Sequence, residues 1–487
     1  MHDTIASYPD LQATAKEVMQ QHGFNPDFPD TVDVQLAALQ RQTEISSSPA
    51  TRDMRNLLWS SIDNDTSRDL DQIEVAEPAS NGEVKVMIGI ADVDAFVPKL
   101  TPIDQHAARE TTTVYTGIRN FPMLPEELST GITSLLEYQD RLSIVIEYIV
   151  DPEGNLKSSD VYCALVRNQA QLQYNSVGAW LEGSAAAPPK VAASAELQRQ
   201  LKLQSEVAQR LKKQRVQHGA LNLQTDEVHP LVLNDKVVDV VKQQKNHATE
   251  LIEDFMVTAN GVVARLLEDV SSLRRIVRTP KRWDRIVQLA AAKGEKLPAQ
   301  PDSKALNDLL LRQKAADPDH FPDLSLAVIK LIGPGEYVLE RAGEVVSGHF
   351  GLAVQDYTHS TAPNRRFADV VTQRLIKAKL TGRSNPYSDD ELTAIATNCT
   401  LKEDAARKVE REMSKRLAAV AMQSRVGEVF DAIVTGVTDH GTFVRVLQPH
   451  IEGLLAQGAH GLDVGDKLHA RLVRTDVQKG YIDFARV

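Results

Sequence analysis

An acidic loop that runs straight into a β-strand pattern is the feature that most restricts the fold of this chain. Residues 61–77 read SIDNDTSRDLDQIEVAE and carry four aspartates within nine positions. They are Asp63, Asp65, Asp69 and Asp71. From Leu70 onward apolar and polar residues alternate, which predicts a strand with one face in the core. Because carboxylates this close repel one another, the fold must hold the loop either in water or against cations.

The periodicity of the rest of the chain predicts an α+β fold. Asn81-Gly82 separates two alternating runs, and the DPEGN segment at 151–155 separates two more, so each pair predicts a β-hairpin. The region from 195 to about 345 reads mostly as helices. The last sixty residues contain five short strands punctuated by Gly or Asp, which is typical of a small β-barrel of OB type.

The length of 487 residues favours two to four domains. We predict a helical N-terminal module over residues 1–50, which is either similar to a helix–turn–helix or a simple packing arm. A large domain of β-sheet or barrel packed with helices is predicted over 51–425. An OB-fold barrel is predicted over 426–487.

The composition predicts a globular protein of a reducing compartment. No run of about 18 apolar residues occurs and no secretory signal pattern opens the chain, so we expect no membrane span and a cytoplasmic location. Cys163 and Cys399 are the two cysteines, too few for a disulfide framework. The net charge of −11 argues weakly against a nucleic-acid ligand. The densest basic run, residues 273–285, is either a surface segment or a local basic site.

Calcium is one candidate for the acidic loop. The oxygens of Asp63, Asp65, Ser67, Asp69 and Glu74 fall at positions 1, 3, 5, 7 and 12 of the EF-hand pattern. The sharp turn at position 6 requires Gly, however, and that position holds Arg68. The motif also requires a helix on both sides, whereas a strand pattern follows this loop. The sequence therefore disfavours calcium.

Magnesium or manganese fits the loop better. Side chains two positions apart at the start of a strand point the same way, so Asp69 and Asp71 should face one site while Leu70 faces the core. Asp63 can return to that site across the loop. Clustered carboxylate oxygens suit these hard cations, and paired ions serve phosphoryl chemistry. Solvated aspartates without a ligand remain the alternative.

A second segment strengthens the phosphoryl-transfer hypothesis. Residues 349–374 read HFGLAVQDYTHSTAPNRRFADVVTQR, with two arginines between a strand-like stretch and a helix. Arg365 or Arg366 is well placed to clamp a phosphate, because guanidinium offers a planar fork of donors. A basic loop alone is more often plain surface.

Five sequence blocks, in this order, resemble the ribonuclease II (RNB) family. They are IDNDTSRDLDQ, IADVDAFV, NFPMLPEELS, HATELIEDFMVTAN and HFGLAVQDYTHSTAPNRRFADVVTQR, within about residues 55–420. The C-terminal barrel resembles the RNA-binding OB domain of ribosomal S-one type. The resemblance implies an RNB catalytic domain in a processive, hydrolytic 3′→5′ exoribonuclease. Such an enzyme uses Mg²⁺, with Mn²⁺ as an alternative, and degrades single-stranded RNA to nucleoside 5′-monophosphates without a nucleotide cofactor.

The resemblance also implies roles for single residues. Asp63, Asp69 and Asp71 match the first three of four active-site acids, and Asp71 matches the one most tied to the chemical step. Arg365 matches an arginine that faces the scissile phosphate, and its neighbour Arg366 is expected at the RNA. Two further matches are expected near the RNA 3′ end, Tyr115 as a stacking aromatic and Glu410 as a nearby carboxylate.

The chain departs from the family pattern at three positions. Gln72 stands where the fourth acid is expected, so it is either a weaker metal ligand or the site relies on substrate phosphates and Glu74. Ala362 and Asn364 also differ from the usual residues beside Arg365. These changes keep open a rival reading, a catalytically impaired RNA-binding relative.

Overall fold

The computed structural model describes residues 10–41, 50–224, 227–233, 236–243, 245–318 and 320–487. Its strands are β1 (Arg52–Asp53), β2 (Trp59–Asp63), β3 (Gln72–Pro78), β4 (Val84–Ala91), β5 (Val114–Tyr115), β6 (Asn120–Phe121), β7 (Asp140–Val150), β8 (Leu156–Gln173), β9 (Glu227–Leu233), β10 (Lys236–Gln243), β11 (Ser272–Ile276), β12 (Glu336–Glu340), β13 (Val429–Thr438), β14 (Gly441–Val446), β15 (Ile451–Gln457), β16 (Lys467–Asp476) and β17 (Tyr481–Arg486). Its helices are α1 (Leu11–Gln21), α2 (Asp30–Gln40), α3 (Pro102–Glu110), α4 (Tyr174–Leu181), α5 (Pro189–Ala192), α6 (Ala195–Gln217), α7 (His247–Leu266), α8 (Trp283–Ala292), α9 (Ser303–Ala316), α10 (Phe321–Ile332), α11 (Phe367–Leu380) and α12 (Asp389–Met422).

A six-stranded sheet forms the centre of the large domain. Its strand order is β1-β8-β2-β3-β4-β7, and β7 also pairs with β8, so the sheet closes on itself. The long strand β8 allows this closure, because its first part pairs with β7 and its last part pairs with β2. Helices α4, α6 and α7 pack against this sheet, which confirms the predicted α+β fold class.

Both predicted hairpins are confirmed. β3 and β4 are antiparallel from Gln72 opposite Ile90 to Pro78 opposite Val84, around a turn in which Asn81 and Gly82 have φ of 58° and 75°. In the turn between β7 and β8, the Asp151 carboxylate accepts backbone bonds from residues 153 and 155. Turn chemistry is local, which is why the sequence sufficed to predict both hairpins.

The N-terminal helices pack on the larger body. Val32 and Leu36 of α2 belong to the main apolar core, together with residues of the central sheet and of α7. Helix α1 places Val18 and Met19 in a smaller cluster with Val409 of α12. Both helices therefore derive their apolar contacts from the large domain, as a packing arm does.

The basic run at 273–285 is buried in its first part, residues 273–277, and largely exposed after it. Arg274 lies in β11, is 2% exposed and forms an ion pair with Glu340. Arg275 pairs with Glu403 of α12, and Arg278 pairs with Glu336. The expectation of a surface segment or basic site is therefore wrong for residues 273–277, where the buried arginines require carboxylate partners. The surface reading holds for the other four basic residues of the run, which are exposed: Arg278, Lys281, Arg282 and Arg285. The region read as mostly helical also contains the β9–β10 hairpin, which the sequence analysis missed.

The C-terminal residues form the predicted five-stranded barrel. The strands close in the order β13-β14-β15-β17-β16. Ala419 and Met422, in the last turn of α12, are buried in the barrel core beside Phe430 and Phe484. Helix α12 therefore runs without interruption from the large domain into the barrel.

Candidate active site

The acidic loop joins two strands of the central sheet. β2 ends at Asp63 and β3 begins at Gln72, and the two strands are antiparallel through the pairing of Ser60 with Glu74. An EF-hand requires helices at both ends of the loop. The calcium reading is therefore wrong.

Asp63 and Asp65 have different surroundings in this loop. The Asp63 carboxylate accepts bonds from the Asn64 amide at 2.7 Å and from the Ser67 hydroxyl at 2.8 Å. Asp65 is exposed at the outer part of the loop. The structure thus anchors Asp63 at the end of β2 and leaves Asp65 in solvent.

Asp71 is the most buried aspartate of the loop. Its side chain is 4% exposed, and its Oδ1 accepts a 2.9 Å bond from the backbone amide of Asn364. Its Oδ2 lies 3.6 Å from Nε of Arg365. Burial raises the pKa of Asp71 to about 7, although Arg365 and the Asn364 amide both act to lower it. A buried carboxylate beside one arginine is suited to binding further positive charge.

Asp69 faces the same site. The Tyr115 hydroxyl lies 3.4 Å from Oδ2 of Asp69. Burial is the main cause that raises the pKa of Asp69, and the neighbouring Asp63 raises it further while Arg365 lowers it. Leu70 between the two aspartates is fully buried, as the alternation predicts.

The loop that carries Arg365 is held by buried polar contacts. Asn364 is 1% exposed, and its side-chain oxygen accepts a 2.5 Å bond from the Thr133 hydroxyl. The Arg365 side chain is half exposed and points its guanidinium at Asp71 without closing a short ion pair. Asn364 in place of an apolar residue therefore has a structural explanation, since both its backbone and its side chain are used.

Arg366 forms a short ion pair, unlike the neighbouring Arg365. Its guanidinium donates to Asp369 at 2.8 Å, within the first turn of α11, and its side chain is 24% exposed. Asp369 also accepts a bond from the Ala362 amide. The sequence analysis placed Arg366 at the RNA and missed Asp369. In the structure these two residues hold the Arg365 loop, and the i, i+3 spacing of opposite charges at a helix start was the signal for this pair.

Tyr115 and Glu410 meet although 295 positions separate them. The Tyr115 amide donates a 3.1 Å bond to the Glu410 carboxylate on α12. Tyr115 is 39% exposed, so its ring is open to a ligand on one side and touches Asp69 on the other. The structure therefore brings five predicted residues into one place: Asp69, Asp71, Tyr115, Arg365 and Glu410.

Gln72 and Glu74 lie on one face of β3. Gln72 is 8% exposed and is paired with Ile90 of β4. Glu74 is fully buried, and neither of its carboxylate oxygens has a hydrogen-bond partner among the described residues. Burial raises the pKa of Glu74 well above its usual range, and the nearby Asp63 carboxylate adds to this shift.

The carboxylates form a row instead of one closed cage. Asp63 acts electrostatically on both Glu74 and Asp69, and Asp69 in turn acts on Asp71. In the part of the chain that the structure describes, no three His, Cys, Asp or Glu side chains converge closely enough to hold a metal ion. Magnesium is usually bound through one or two carboxylates together with waters and substrate phosphates, so this row fits such an ion.

Comparison with known protein families decides where the chain belongs. A family model described as "RNB domain" matches residues 51–382. The chain belongs to the RNB family. A second model, described as "RNase II-type exonuclease C-terminal S1 domain", matches residues 428–487. The resemblance predicted from the sequence blocks and from the terminal barrel is thus confirmed.

Relatives of this RNB chain carry the name Ribonuclease R. The protein from Thermotoga maritima is 30% identical over an alignment of 500 positions, and the alignment covers 95% of this chain and 68% of that protein. The protein from Escherichia coli strain K12 is 30% identical over 446 residues, which cover 88% of this chain and 54% of that protein. The matched region is therefore about half to two thirds of these longer relatives.

Solved structures confirm the fold. Mycoplasma genitalium RNase R in complex with ribose methylated single-stranded RNA has a TM-score of 0.87 at 22% identity, and the match covers 98% of this chain and 78% of that one. The structure titled "Structure of yeast Ssd1, a pseudonuclease" has a TM-score of 0.67 at 18% identity, covering 91% of this chain and 55% of that one. Among the described residues, no helix is both long and apolar enough to cross a bilayer.

Proposed function

We propose that this RNB chain is a hydrolytic 3′→5′ exoribonuclease that degrades single-stranded RNA to nucleoside 5′-monophosphates in the cytoplasm. Membership of the RNB family and relatives named Ribonuclease R support an exoribonuclease. The observation that carries the proposal is the convergence of Asp69, Asp71 and Arg365 beside Tyr115, from three distant parts of the chain. This convergence favours an active enzyme over an impaired RNA-binding relative.

The acidic row defines one side of the reaction centre. Asp63, Asp69 and Asp71, with Gln72 beside them, would hold magnesium or manganese. When bound, the cations would lower the pKa of an attacking water and stabilise charge on the phosphate. The backbone amide of Asn364 donates a 2.9 Å hydrogen bond to the Asp71 carboxylate, so this carboxylate keeps its position as RNA binds and product leaves.

Arg365 defines the opposite side. Its guanidinium is half exposed and lies 3.6 Å from Asp71, so most of its donors remain available to phosphate oxygens. A planar fork of donors matches a phosphate as its negative charge grows in the transition state. Arg365 therefore orients the scissile phosphate above the acids and stabilises the charge that develops there.

Tyr115 and Glu410 would bind the 3′-terminal nucleotide. The exposed Tyr115 ring offers a stacking surface for a base, and stacking tolerates any sequence. Glu410 holds the backbone of Tyr115 and is itself an acceptor for ribose hydroxyls. Recognition of the 2′-hydroxyl would make RNA a better substrate than DNA.

The test is a time course on 5′-labelled single-stranded RNA with magnesium, with a chelator control. The wild type should shorten the RNA from its 3′ end and release 5′-monophosphates. Asp71→Asn should bind RNA but lose turnover by more than the roughly 10- to 100-fold seen when only a supporting contact is removed. Asp65→Asn is the matched control, because it neutralises an exposed acid of the same loop and should retain full activity.

Two outcomes would contradict the proposal. Turnover by Asp71→Asn at the wild-type rate would remove Asp71 from the reaction centre. RNA binding without shortening by the wild type, in magnesium and in manganese alike, would identify an RNA-binding protein without catalytic activity.

A further inference from the structure

We propose that Glu74 is a ligand residue of the divalent-cation site and supplies, together with Asp63, the negative charge that Gln72 lacks. The inference rests on the proposed function, because it concerns the same acidic row. It develops one of the two alternatives that the sequence left open at position 72, a contribution of Glu74 to the site.

Glu74 is a buried carboxyl group without a hydrogen-bond or ion-pair partner among the described residues. It is 0% exposed, and both Oε1 and Oε2 lack a hydrogen-bond donor among the described residues. The charged side chain that acts on it is Asp63, another carboxylate, and no described Lys or Arg forms an ion pair with it. A buried carboxyl group without a partner is either protonated or accompanied by a positive charge. The second carboxylate beside it, Asp63, makes this a place where a divalent cation would be bound in exchange for the proton.

A neighbour of Glu74 supplies a further buried oxygen without a hydrogen-bond partner among the described residues. Ser60 lies directly opposite Glu74 in the β2–β3 pair, where facing side chains are about 5 Å apart. The Ser60 hydroxyl is also fully buried and without a partner. Carboxylate oxygens are ligands that magnesium and manganese favour, and a serine hydroxyl oxygen can complete such a set.

The strand geometry places this oxygen set next to the predicted catalytic acids. Gln72 and Glu74 are two positions apart on β3, so their side chains lie on one face about 7 Å apart along the strand. Asp63 connects the two ends of the row, because it acts electrostatically on Glu74 and on Asp69. A cation shared by Asp63 and Glu74 would therefore lie at the inner end of the acidic row.

A negative charge at Glu74 in place of one at position 72 explains why a neutral residue is tolerated at position 72. An amide at position 72 binds a cation more weakly than a carboxylate does, and the loss of one negative charge reduces affinity. A carboxylate two residues further along the same face restores the total charge without placing two acids side by side. We therefore expect that one carboxylate, either Asp at position 72 or Glu at position 74, is sufficient to retain the affinity of the site for a divalent cation.

The test measures Mn²⁺ binding to the RNA-free protein by electron paramagnetic resonance and calorimetry. Glu74→Gln keeps the size of the side chain and removes its charge, so Mn²⁺ affinity should fall at least about tenfold. Gln72→Asp in the Glu74→Gln background should recover much of that loss. Glu77→Gln is the matched control, because Glu77 is on the same strand but pairs with Lys85 at the surface, and its substitution should leave Mn²⁺ affinity unchanged.

Thermal unfolding separates a loss of binding from a loss of folding. Without metal, Glu74→Gln should unfold at or above the wild-type temperature, because it removes an unpartnered buried carboxylate. With Mn²⁺, the increase in unfolding temperature should be smaller for Glu74→Gln than for the wild type. Should Glu74→Gln fail to fold, Ser60→Ala provides the second variant, and it should lower Mn²⁺ affinity severalfold.

The outcomes distinguish this inference from the proposed function. Unchanged Mn²⁺ affinity in folded Glu74→Gln, or in Ser60→Ala if it is the variant used, would overturn the inference even if the wild type degrades RNA. A wild type that binds Mn²⁺ through Glu74 but leaves RNA intact would support the inference and overturn the proposed activity.

Discussion

Asp65 and Asp71 lie six residues apart in one loop, yet only Asp71 is removed from water. Strand alternation and the family resemblance single out Asp71 in the sequence, but neither shows which part of the chain covers its carboxylate. The Asp71 carboxylate accepts its backbone hydrogen bond from Asn364, almost three hundred residues later. The sequence thus predicts that Asp69 and Asp71 face one site, and only the fold shows which distant residues hold them there.

Tyr115 provides a test at the scale of one residue. In the Asp71→Asn background, Tyr115→Ala should weaken single-stranded RNA binding by about 1–3 kcal/mol, the value of one stacked base. Tyr115→Phe should keep most of the affinity, because the ring remains. Equilibrium titration with a fluorescent RNA measures both variants.

Tyr138 offers the control for that titration. It is a tyrosine at 64% exposure outside the cluster, so Tyr138→Ala should bind RNA like the parent protein. Equal losses from Tyr115→Ala and Tyr138→Ala would show that Tyr115 has no special role at the RNA 3′ end.

Elements defined by local turn chemistry were predictable from the sequence, and elements defined by distant partners were not. The Asn81-Gly82 hairpin follows from residues that favour positive φ. Strand β11 carries adjacent arginines that read as surface, because its partners Glu340 and Glu403 are far along the chain. The packing of α2 was left open for the same reason, since its contacts are with α3 and the central core.

The contact between the N-terminal segment and α3 predicts sensitivity to acid. His106 of α3 is 2% exposed, and its ring lies 4.3 Å from the ring of Phe28, between centroids. Burial lowers the pKa of His106 to about 4, and Arg109 lowers it further. Because the unfolded chain binds this proton near pH 6.5, stability is complete above that pH and falls as the pH decreases toward 4.

We expect the loss to be roughly 1–3 kcal/mol after solvent screening. His106→Gln removes the titrating group, so its free energy of unfolding should depend less on pH between 6.5 and 4. Urea unfolding at a series of pH values measures the difference. His247→Gln, at an exposed histidine, should retain the wild-type pH dependence, and an identical slope for His106→Gln would contradict the assignment.

At the scale of the whole molecule, the barrel is joined to the large domain by a helix and by a partly buried ion pair. Its apolar core contains residues from Ala419 onward, whereas the main core contains no barrel residue. Arg445 of β14 also pairs with Asp323 of α10 at 3.0 Å. The barrel itself was predictable from its five short strands, but this attachment depends on α10 and was not.

Removal of residues 427–487 tests the role of the barrel. The remaining chain should fold, because its main core is complete, and it should still degrade short RNA. Its affinity for long RNA should fall by roughly 10²-fold, as expected when one of two linked binding modules is lost. Binding of long and short oligomers measures this, and an equal affinity of both proteins for long RNA would exclude the barrel from binding.

The unbroken helix α12 has a consequence for the end of a degradation reaction. Glu410 contacts Tyr115, and Met422, twelve residues later, lies in the barrel core, so helix geometry separates them by about 18 Å. This spacing is a rigid property of the protein, whereas the RNA shortens with each step. Once the remaining RNA fragment is too short to reach from the site at Tyr115 and Glu410 to the barrel, only its 3′ end stays bound to the protein. Release should then compete with hydrolysis, and the size of the last fragments should report the length of the helix.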